Sequence, residues 1–359
     1  MDFTFTEDEL SFREAISRFL MIEAAPETLR EIWETSSGRS AELRSKIAEQ
    51  GLTALSVPEE ADGLDMGDVA WSLMTQELGY YGIPDSLADT AYLACGLLIA
   101  LPDSENTVVN ARRQTWLTQI CDGSIRIAVG HEITPLVADA AVADLLLLSH
   151  GDEIHGVSRQ DVDVESVASI DSSRRLGRVS WQPNADTLLA SGDVGRALQQ
   201  LTLDRGALSV AGQLLGLSQR MLDLSVDYAA QRKQFGKAIG SFQAVKHHLA
   251  DVAASIEMAK SVLYRAAYSL QEGDADASVH VSEAKLCCAK TAHLSARHGI
   301  QVHGAMGYTW EVELQMFMKR SWALEACWGD SSFHQARLNA FVLDGENSLG
   351  PGQTFGRTS

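Results

Sequence analysis

Residues 232–251 read RKQFGKAIGSFQAVKHHLAD, and this stretch decides how the chain is interpreted. Its glycines interrupt an otherwise helical pattern, which is typical of a helix end, a turn and a new helix start. Arg232 offers a planar, permanently charged guanidinium that suits a pyrophosphate, and Phe235 and Phe242 offer flat apolar faces for a heteroaromatic ring. Residue types alone favour a simpler interpretation, an ordinary connection between two helices.

A sustained helical pattern follows this stretch. Apolar residues recur in alternating steps of four and three, which predicts one helix of an antiparallel bundle. A second helix is predicted over 208–226, where Gly212 and Gly216 allow close backbone approach, a third over 281–291, and a fourth over 314–343. The apolar series is Val245, Leu249, Val252, Ile256, Ala259, Leu263, Ala266 and Leu270.

A second cluster lies between two predicted helices, where residues 301–309 read QVHGAMGYT. Two glycines close together let backbone N–H groups approach an anion. A plain turn at the end of a helix would use the same residues. Taken alone, the cluster favours that second interpretation.

The chain divides into three regions by pattern. Residues 1–122 are predicted to form an N-terminal helical domain, which opens on a capping box between Thr6 and Glu9. Short apolar runs separated by Gly, Asp and Ser predict a reduced middle β domain over 123–195. Residues 196–359 are predicted to form a C-terminal helical bundle. The expected fold class is mainly α with a small middle β domain.

Composition narrows the class of protein. Apolar residues make up 45% and charged residues 21% of the 359-residue chain, which excludes disordered, collagenous and disulfide-scaffold classes. A formal charge of −19 disfavours nucleic acid as a partner. The most apolar stretch, 88–101, is too short to span a bilayer, so no membrane association is expected. Five cysteines without a Cys-x-x-Cys pattern and a start without secretory features favour a cytoplasmic location.

No metal site is expected. His247 and His248 are adjacent, so they point to different sides of a helix. No third ligand stands at a suitable spacing from them. The pair is interpreted as polar residues near a helix start.

In this order and about 70 residues apart, the two clusters resemble motifs of the acyl-CoA dehydrogenase family. The first is similar to the signature R-x-Q-F-G-x-x-I-x-x-F-Q-x-x-x-H-x-L-A-D, and the second to the turn Q-x-x-G-G-x-G-Y, with Ala305 in place of the second glycine. The resemblance implies a helical domain, a β domain and a C-terminal four-helix bundle. It also implies an acyl-CoA substrate, FAD held across a subunit interface, and an electron-transfer flavoprotein as acceptor.

The resemblance assigns residues to the cofactor. Arg232 and Gln234 would reach the FAD of a neighbouring subunit, and Phe235, Phe242 and Gln243 would lie near its adenosine part. The second cluster would wrap the pyrophosphate and ribose of the same cofactor. Its members are Gln301, Val302, His303, Gly304 and Ala305.

The chain departs from the family at the catalytic base, the carboxylate that removes the α-proton. The position near the C-terminus that usually holds the base aligns with Gly329, or with Trp328 after a one-residue slip. The alternative position on the first bundle helix aligns with Gly206. General-base chemistry needs a carboxylate within reach of the proton, so no catalytic residue is predicted in this chain.

The middle region also departs from the family. Where family members have a T-E-P-x-x-G-S-D-like flavin loop, residues 129–135 read VGHEITP, and no glycine-serine-aspartate loop follows. The segment from 125 to 195 is shorter than the usual middle domain. A flavin pocket formed by this chain alone is therefore not expected.

Loss of the base with retention of the interface motif resembles the degenerate subunits of heteromeric acyl-CoA dehydrogenases in bacterial steroid catabolism. The leading hypothesis is a non-catalytic subunit of an α2β2 heterotetramer that forms an α,β double bond in a bulky, steroid-derived acyl-CoA. A homologous catalytic subunit would supply the base and hold the shared FAD. One alternative is a homo-oligomeric dehydrogenase with a base relocated to Glu325 or Asp330. Another is a flavin-free interaction protein that keeps only the bundle.

Overall fold

The computed structural model describes residues 4–103 and 107–344 of the chain. Their contacts group into two compact units. One holds the described residues of Met1–Arg13, Ser72–Gly82 and Ala207–Ser359, and the other holds those of Glu14–Trp71 and Ile83–Gly206. These units do not test the three-part division at residues 122 and 195, which stays a prediction. Residues 345–359 of the predicted third region lie outside the described residues.

Helices come first, then strands, then helices, which is the predicted order. The first helices are α1 Glu7–Glu23, α2 Pro26–Glu34, α3 Ala41–Glu49, α4 Asp68–Tyr80, α5 Cys95–Ala100 and α6 Thr107–Cys121. The capping box forms at the start of α1, since Thr6 N–H donates to Glu9 Oε2 over 2.8 Å and Glu9 N–H donates to Thr6 Oγ1 over 3.2 Å. A π-helical turn, Asp89–Ala94, precedes α5. None of the described helices is both long and apolar enough to span a bilayer.

The middle strands form two small sheets. One has the order β1-β3-β4-β7, with β1 parallel to β3 and the other pairs antiparallel. The other is antiparallel with the order β2-β6-β5. Apolar residues of these strands, including Leu146 and Val157, form a common core. The strands are β1 Ile127–Gly130, β2 Val137–Ala138, β3 Leu145–His150, β4 Glu153–Ser158, β5 Asp163–Val167, β6 Leu176–Ser180 and β7 Leu188–Ala190.

Buried ion pairs join the strand-forming part to the helices of the same unit. Arg39 Nε donates to Asp139 Oδ2 over 2.8 Å, and both side chains are almost fully buried. Asp85 accepts from Arg44 over 2.8 Å and from Arg126 over 2.7 Å. Removing one member of such a pair would leave an uncompensated buried charge, which is strongly destabilising.

The C-terminal helices follow the predicted seam. They are α7 Gly192–Gln231, α8 Gln243–Gln271, α9 Ala277–His303, α10 Leu314–Glu325 and α11 Ser331–Asn339. The seam residues of α8 that are buried against its neighbours are Val252, Ile256, Ala259, Leu263 and Ala266. Close approach at Gly216 is confirmed, because a Cβ there would lie 1.9 Å from the carbonyl oxygen of Gln76.

The prediction of one helix over 314–343 was wrong, because two helices occupy these residues. The chain leaves helical geometry after Glu325, and Trp328 and Gly329 adopt positive φ values of 56° and 91°. Asp330 then begins α11 as its N-cap, with its side chain accepting from Phe333 N–H over 2.8 Å. The apolar pattern is helical on both sides of the break, and carbonyl groups of the turn between them bond to side chains of α9 and α11.

Candidate functional site

The first cluster forms a hairpin at the end of α7. Arg232 N–H donates to Tyr228 O, and Ile239 N–H donates to Arg232 O, both over 2.8 Å. Between these bonds lie β8 Lys233–Gln234 and β9 Lys237–Ala238, which pair antiparallel. The two residues that join them, Phe235 and Gly236, have φ values of 51° and 80°, as a tight two-residue hairpin turn requires.

The functional groups of this hairpin face solvent. The Phe235 side chain is 91% exposed at the tip, although a positive φ is uncommon for a bulky residue. Within the described chain, the guanidinium of Arg232 makes no ion pair or side-chain hydrogen bond, and Arg232 and Gln234 are both exposed. Phe242 is the N-cap of α8, Lys237 Nζ lies 4.4 Å from its ring centroid, and the adjoining Gln243 is exposed. The surface presents exposed cationic and amide groups beside two aromatic rings, of which Phe242 is half-buried.

The second cluster forms the C-terminal end of α9. Gly304 ends the helix with φ 61° and ψ −140°, a region that only glycine adopts readily. Gln301, Gly304 and Ala305 are exposed, whereas Val302 and His303 are buried. Any cofactor contact from these two buried residues would have to come from their backbone.

The structure brings the two clusters together through Tyr228. The His303 ring stacks on the Tyr228 ring with centroids 4.2 Å apart, and His303 Nδ1 bonds to Gly299 O over 2.8 Å. Burial lowers the pKa of His303, so its ring is neutral near pH 7. Tyr228 lies one helical turn before Arg232 and accepts from its N–H. Sequence reasoning missed this contact, because Tyr228 belongs to neither motif.

A second contact joins the start of α8 to the end of α9. The rings of His248 and His298 lie 4.6 Å apart at 72°. Burial, together with the neighbouring His248, lowers the pKa of His298. Among the described residues, no group of three or more His, Cys, Asp or Glu side chains could hold a metal ion.

The arrangement fits part of a dinucleotide. An unpaired guanidinium matches a pyrophosphate, exposed amides supply donors and acceptors, and aromatic faces match an adenine ring. The assignment of the cofactor residues, Arg232 to Gln243 and Gln301 to Ala305, stays a prediction with which this donor set is compatible.

The turn at Gly329, where the family usually has its base, leaves no space for a side chain. A Cβ at Gly329 would lie 2.5 Å from Phe333 Cδ1 and 2.7 Å from His334 Nε2, which is closer than such atoms can approach. Trp328, the alternative after a one-residue slip, is 5% exposed. The other family position, Gly206, lies within α7 and is also buried.

Two buried side chains hold this turn by its carbonyl groups. Lys285 Nζ donates to Glu325 O over 2.7 Å and to Gly329 O over 2.9 Å. His334 Nε2 bonds to Trp328 O over 2.9 Å. We call Lys285 and His334 the carbonyl clasp. Burial lowers the pKa of Lys285 to about 8, and burial beside Lys285 lowers that of His334 to about 4. The sequence signal that was missed is a lysine on an apolar face of α9.

The two carboxylates near the turn are engaged in local structure. Asp330 is exposed and caps α11. Glu325 is half-buried, and its Oε1 accepts from Ser331 Oγ over 3.3 Å.

The segment aligned with the family's flavin loop is a tight turn that uses its own donors. Thr134 N–H donates to His131 O over 2.8 Å, and Ile133 N–H donates to His131 Nδ1 over 3.1 Å. Glu132 Oε1 accepts from Gly151 N–H over 3.1 Å. Burial lowers the pKa of His131, in keeping with a neutral ring that accepts.

Comparison with known proteins identifies the family to which the chain belongs. The family model described as acyl-CoA dehydrogenase, N-terminal domain matches residues 6–124, and the one described as acyl-CoA dehydrogenase, C-terminal domain matches residues 193–343. The chain belongs to the acyl-CoA dehydrogenase family. Its members are FAD-dependent oxidoreductases that act on CH–CH bonds.

Particular relatives narrow the comparison. The chain is 29% identical over 321 residues to acyl-CoA dehydrogenase IpdE2 of Mycobacterium tuberculosis, covering 88% of this chain and 91% of that protein. Its fold is similar to a chain of the ChsE4-ChsE5 complex from Mycobacterium tuberculosis, with a TM-score of 0.83, 22% identity and coverage of 97% and 100%. It is also similar to a chain of the Tcur3481-Tcur3483 steroid ACAD G363A variant, with a TM-score of 0.83, 21% identity and coverage of 95% and 99%. These likenesses support the predicted fold.

Proposed function

We propose that this chain is a non-catalytic subunit of a heteromeric FAD-dependent acyl-CoA dehydrogenase. A homologous catalytic subunit supplies the base, and the two chains form an α2β2 heterotetramer. This chain completes the FAD site across the interface. The enzyme forms an α,β double bond in a bulky, steroid-derived acyl-CoA, and an electron-transfer flavoprotein takes up the electrons.

The observation that carries the proposal is the closed turn at residues 325–330. Position 329 has no room for a side chain, and both nearby carboxylates, Glu325 and Asp330, are engaged in hydrogen bonds with α11. A base must reach the α-proton of the substrate. This chain has no carboxylate placed to do so at either family position.

A second observation supports the role toward the cofactor. Two of the side chains assigned to FAD, Arg232 and Gln234, are exposed and make no ion pair or hydrogen bond with the described residues of this chain. When bound, FAD supplies the hydride acceptor for oxidation of the CH–CH bond. The residues of this chain bind and orient: the guanidinium pairs with the pyrophosphate, and Phe235 and Phe242 cover the adenosine part. Exposure at the tip of a hairpin suits contact with a cofactor held mainly by another subunit.

The names of similar proteins support the proposed steroid-derived substrate and the proposed assembly from two different chains. One structural neighbour is a complex of two differently named chains. Another is described as a steroid ACAD, and its name also joins two different chains. We extend both features to this chain, because it shares their fold over nearly its full length.

Neutral substitution of the two nearby carboxylates tests the proposal against a relocated base. In the assembled enzyme, Glu325→Gln and Asp330→Asn should leave turnover within about twofold of wild type, because neither group moves a proton. Steady-state turnover with a bulky acyl-CoA and an artificial electron acceptor measures the effect. Glu311→Gln, an exposed residue of the turn before α10, is the matched control.

A loss of about a hundredfold or more for either variant, with FAD still bound, would identify that carboxylate as a relocated base. The homo-oligomeric alternative would then replace the proposal. An assembly that forms and stays colourless, with no flavin absorption, would instead favour the flavin-free interaction protein.

A further inference from the structure

The turn that replaces the base is held from outside its own sequence. Backbone carbonyls at the end of a helix normally bond to water or to a local cap. Here Glu325 O and Gly329 O both accept from Lys285 on α9. Trp328 O accepts from His334 on α11. The turn therefore bonds to a residue forty positions earlier in the chain.

The side chain of Lys285 is fully buried, which makes its bonding partners important. Its side chain is 1% exposed, and a buried ammonium without partners is strongly disfavoured. The two carbonyl oxygens, at 2.7 and 2.9 Å, are the partners that compensate. An uncharged amine keeps two N–H groups, so both bonds can persist when the proton leaves. The lysine and the turn stabilise each other.

His334 completes the arrangement as a neutral ring. Since Trp328 O can only accept, the proton lies on Nε2. Nδ1 then faces Ser282 Oγ at 3.0 Å, a hydroxyl that can donate its one proton either to this nitrogen or to Ser278 O at 2.9 Å. Burial and the nearby Lys285 both disfavour a second proton on this ring. The ring joins the turn to α9, the same helix that carries Lys285.

The backbone of the turn needs such support. Trp328 has a φ of 56°, which is a rare conformation for a bulky side chain and persists only where the surroundings hold it. Gly329 follows at 91°, where any other residue is strained. The rings of Phe333 and His334 also occupy the space that a side chain at position 329 would need.

We propose that Lys285 is a positioning residue which, with His334, holds residues 325–330 in a conformation that closes position 329 to any side chain. At the position where the family usually has its base, this chain then differs in backbone conformation as well as in residue type. The link between this conformation and the loss of the base rests on the proposed function. The hydrogen bonds of the carbonyl clasp do not rest on it, because they can be tested in whatever assembly the chain forms.

Hydrogen–deuterium exchange of the purified assembly tests the clasp. In Lys285→Met, amides of residues 325–334 should exchange about tenfold to a hundredfold faster, since two bonds from a charged donor are lost. Amides in the centre of α8 should be unchanged. Lys290→Met removes an exposed lysine of the same helix and should match wild type. Equal exchange of 325–334 in both variants would overturn the proposal.

Substitution of His334 separates positioning from general packing. The amide of Gln can place a donor where Nε2 lies, so His334→Gln should keep protection of 325–330, and His334→Ala should lose it. Equal loss in both would show that only the volume of the ring matters, which would overturn the role of its hydrogen bond. This pair also serves if Lys285→Met fails to fold.

Gly329→Ala tests whether position 329 is closed. A single methyl group there should speed exchange of 325–334 as much as Lys285→Met does, because the Cβ meets Phe333 and His334. Wild-type exchange in this variant would overturn the closure. None of these results depends on FAD content, so failure of the clasp and failure of the heteromeric proposal are distinguishable.

Discussion

At the scale of single residues, the proposed contact with FAD depends most on Arg232. Its guanidinium is exposed and has no ion pair within the described chain. A charge-assisted contact to a pyrophosphate contributes on the order of 1.5–3 kcal/mol. Arg232→Ala should therefore weaken FAD binding by roughly tenfold to a hundredfold. Arg232→Lys should recover only part, because a point charge cannot reproduce the planar fork.

The measurement for Arg232 is FAD content and subunit stoichiometry on the same purified complex after dilution. Flavin should be lost while the subunits stay associated through the bundle. Arg18→Ala removes an exposed guanidinium from α1 and should leave FAD content unchanged. Unchanged FAD affinity in Arg232→Ala would mean that the motif survives here as a surface feature only.

Lys285 also makes a prediction about pH. Its pKa is lowered from 10.5 to about 8 in the folded chain, so the unfolded chain binds this proton more tightly between those values. Raising the pH from about 8 to 10.5 should therefore add stability from this group, by roughly 3 kcal/mol at most. Denaturant unfolding of wild type and Lys285→Met across this range isolates the contribution as the difference between them. A difference that is constant with pH would contradict the prediction.

At the scale of elements, the break between α10 and α11 should depend on Asp330 as a cap. Asp330→Ala loses the bond from Phe333 N–H and should lower the free energy of unfolding by about 1 kcal/mol. Asp330→Asn should remain close to wild type, since Asn caps equally well. Denaturant unfolding measures both. Equal stability of the Ala and Asn variants would show that the cap is not what begins α11.

The same elements show what sequence can predict. The α8 seam was predicted because its burial repeats at the helical period, and Thr6 with Glu9 was predicted because a capping box is local. The break after Glu325 was not, because it depends on Lys285 and His334, which no local pattern connects to the turn. Likewise Tyr228 joins the two cofactor clusters by a contact that only the folded chain brings about.

At the scale of the whole molecule, the order of helices, strands and helices was predicted from changes in periodicity. The grouping into two compact units was not. Residues 72–82 and 207 onward share one unit, although more than a hundred residues separate them in the sequence. Contacts over such distances leave little trace in one sequence. The rest of the fold was predicted from the family resemblance. Two specific motifs in the right order identify a fold that composition alone does not identify.

The number of FAD molecules per chain in the purified assembly tests most directly whether this chain is the non-catalytic half of a heteromeric enzyme. The chain expressed alone should be poor in flavin or poorly soluble, because one partner's half of the cofactor site is missing. Co-expressed with its catalytic partner, it should give yellow protein with about one FAD per heterodimer. Absorbance of released flavin, together with the mass of the assembly, gives the ratio. Full FAD occupancy in every chain of a homotetramer would contradict the role of this chain as one subunit of a heteromeric enzyme.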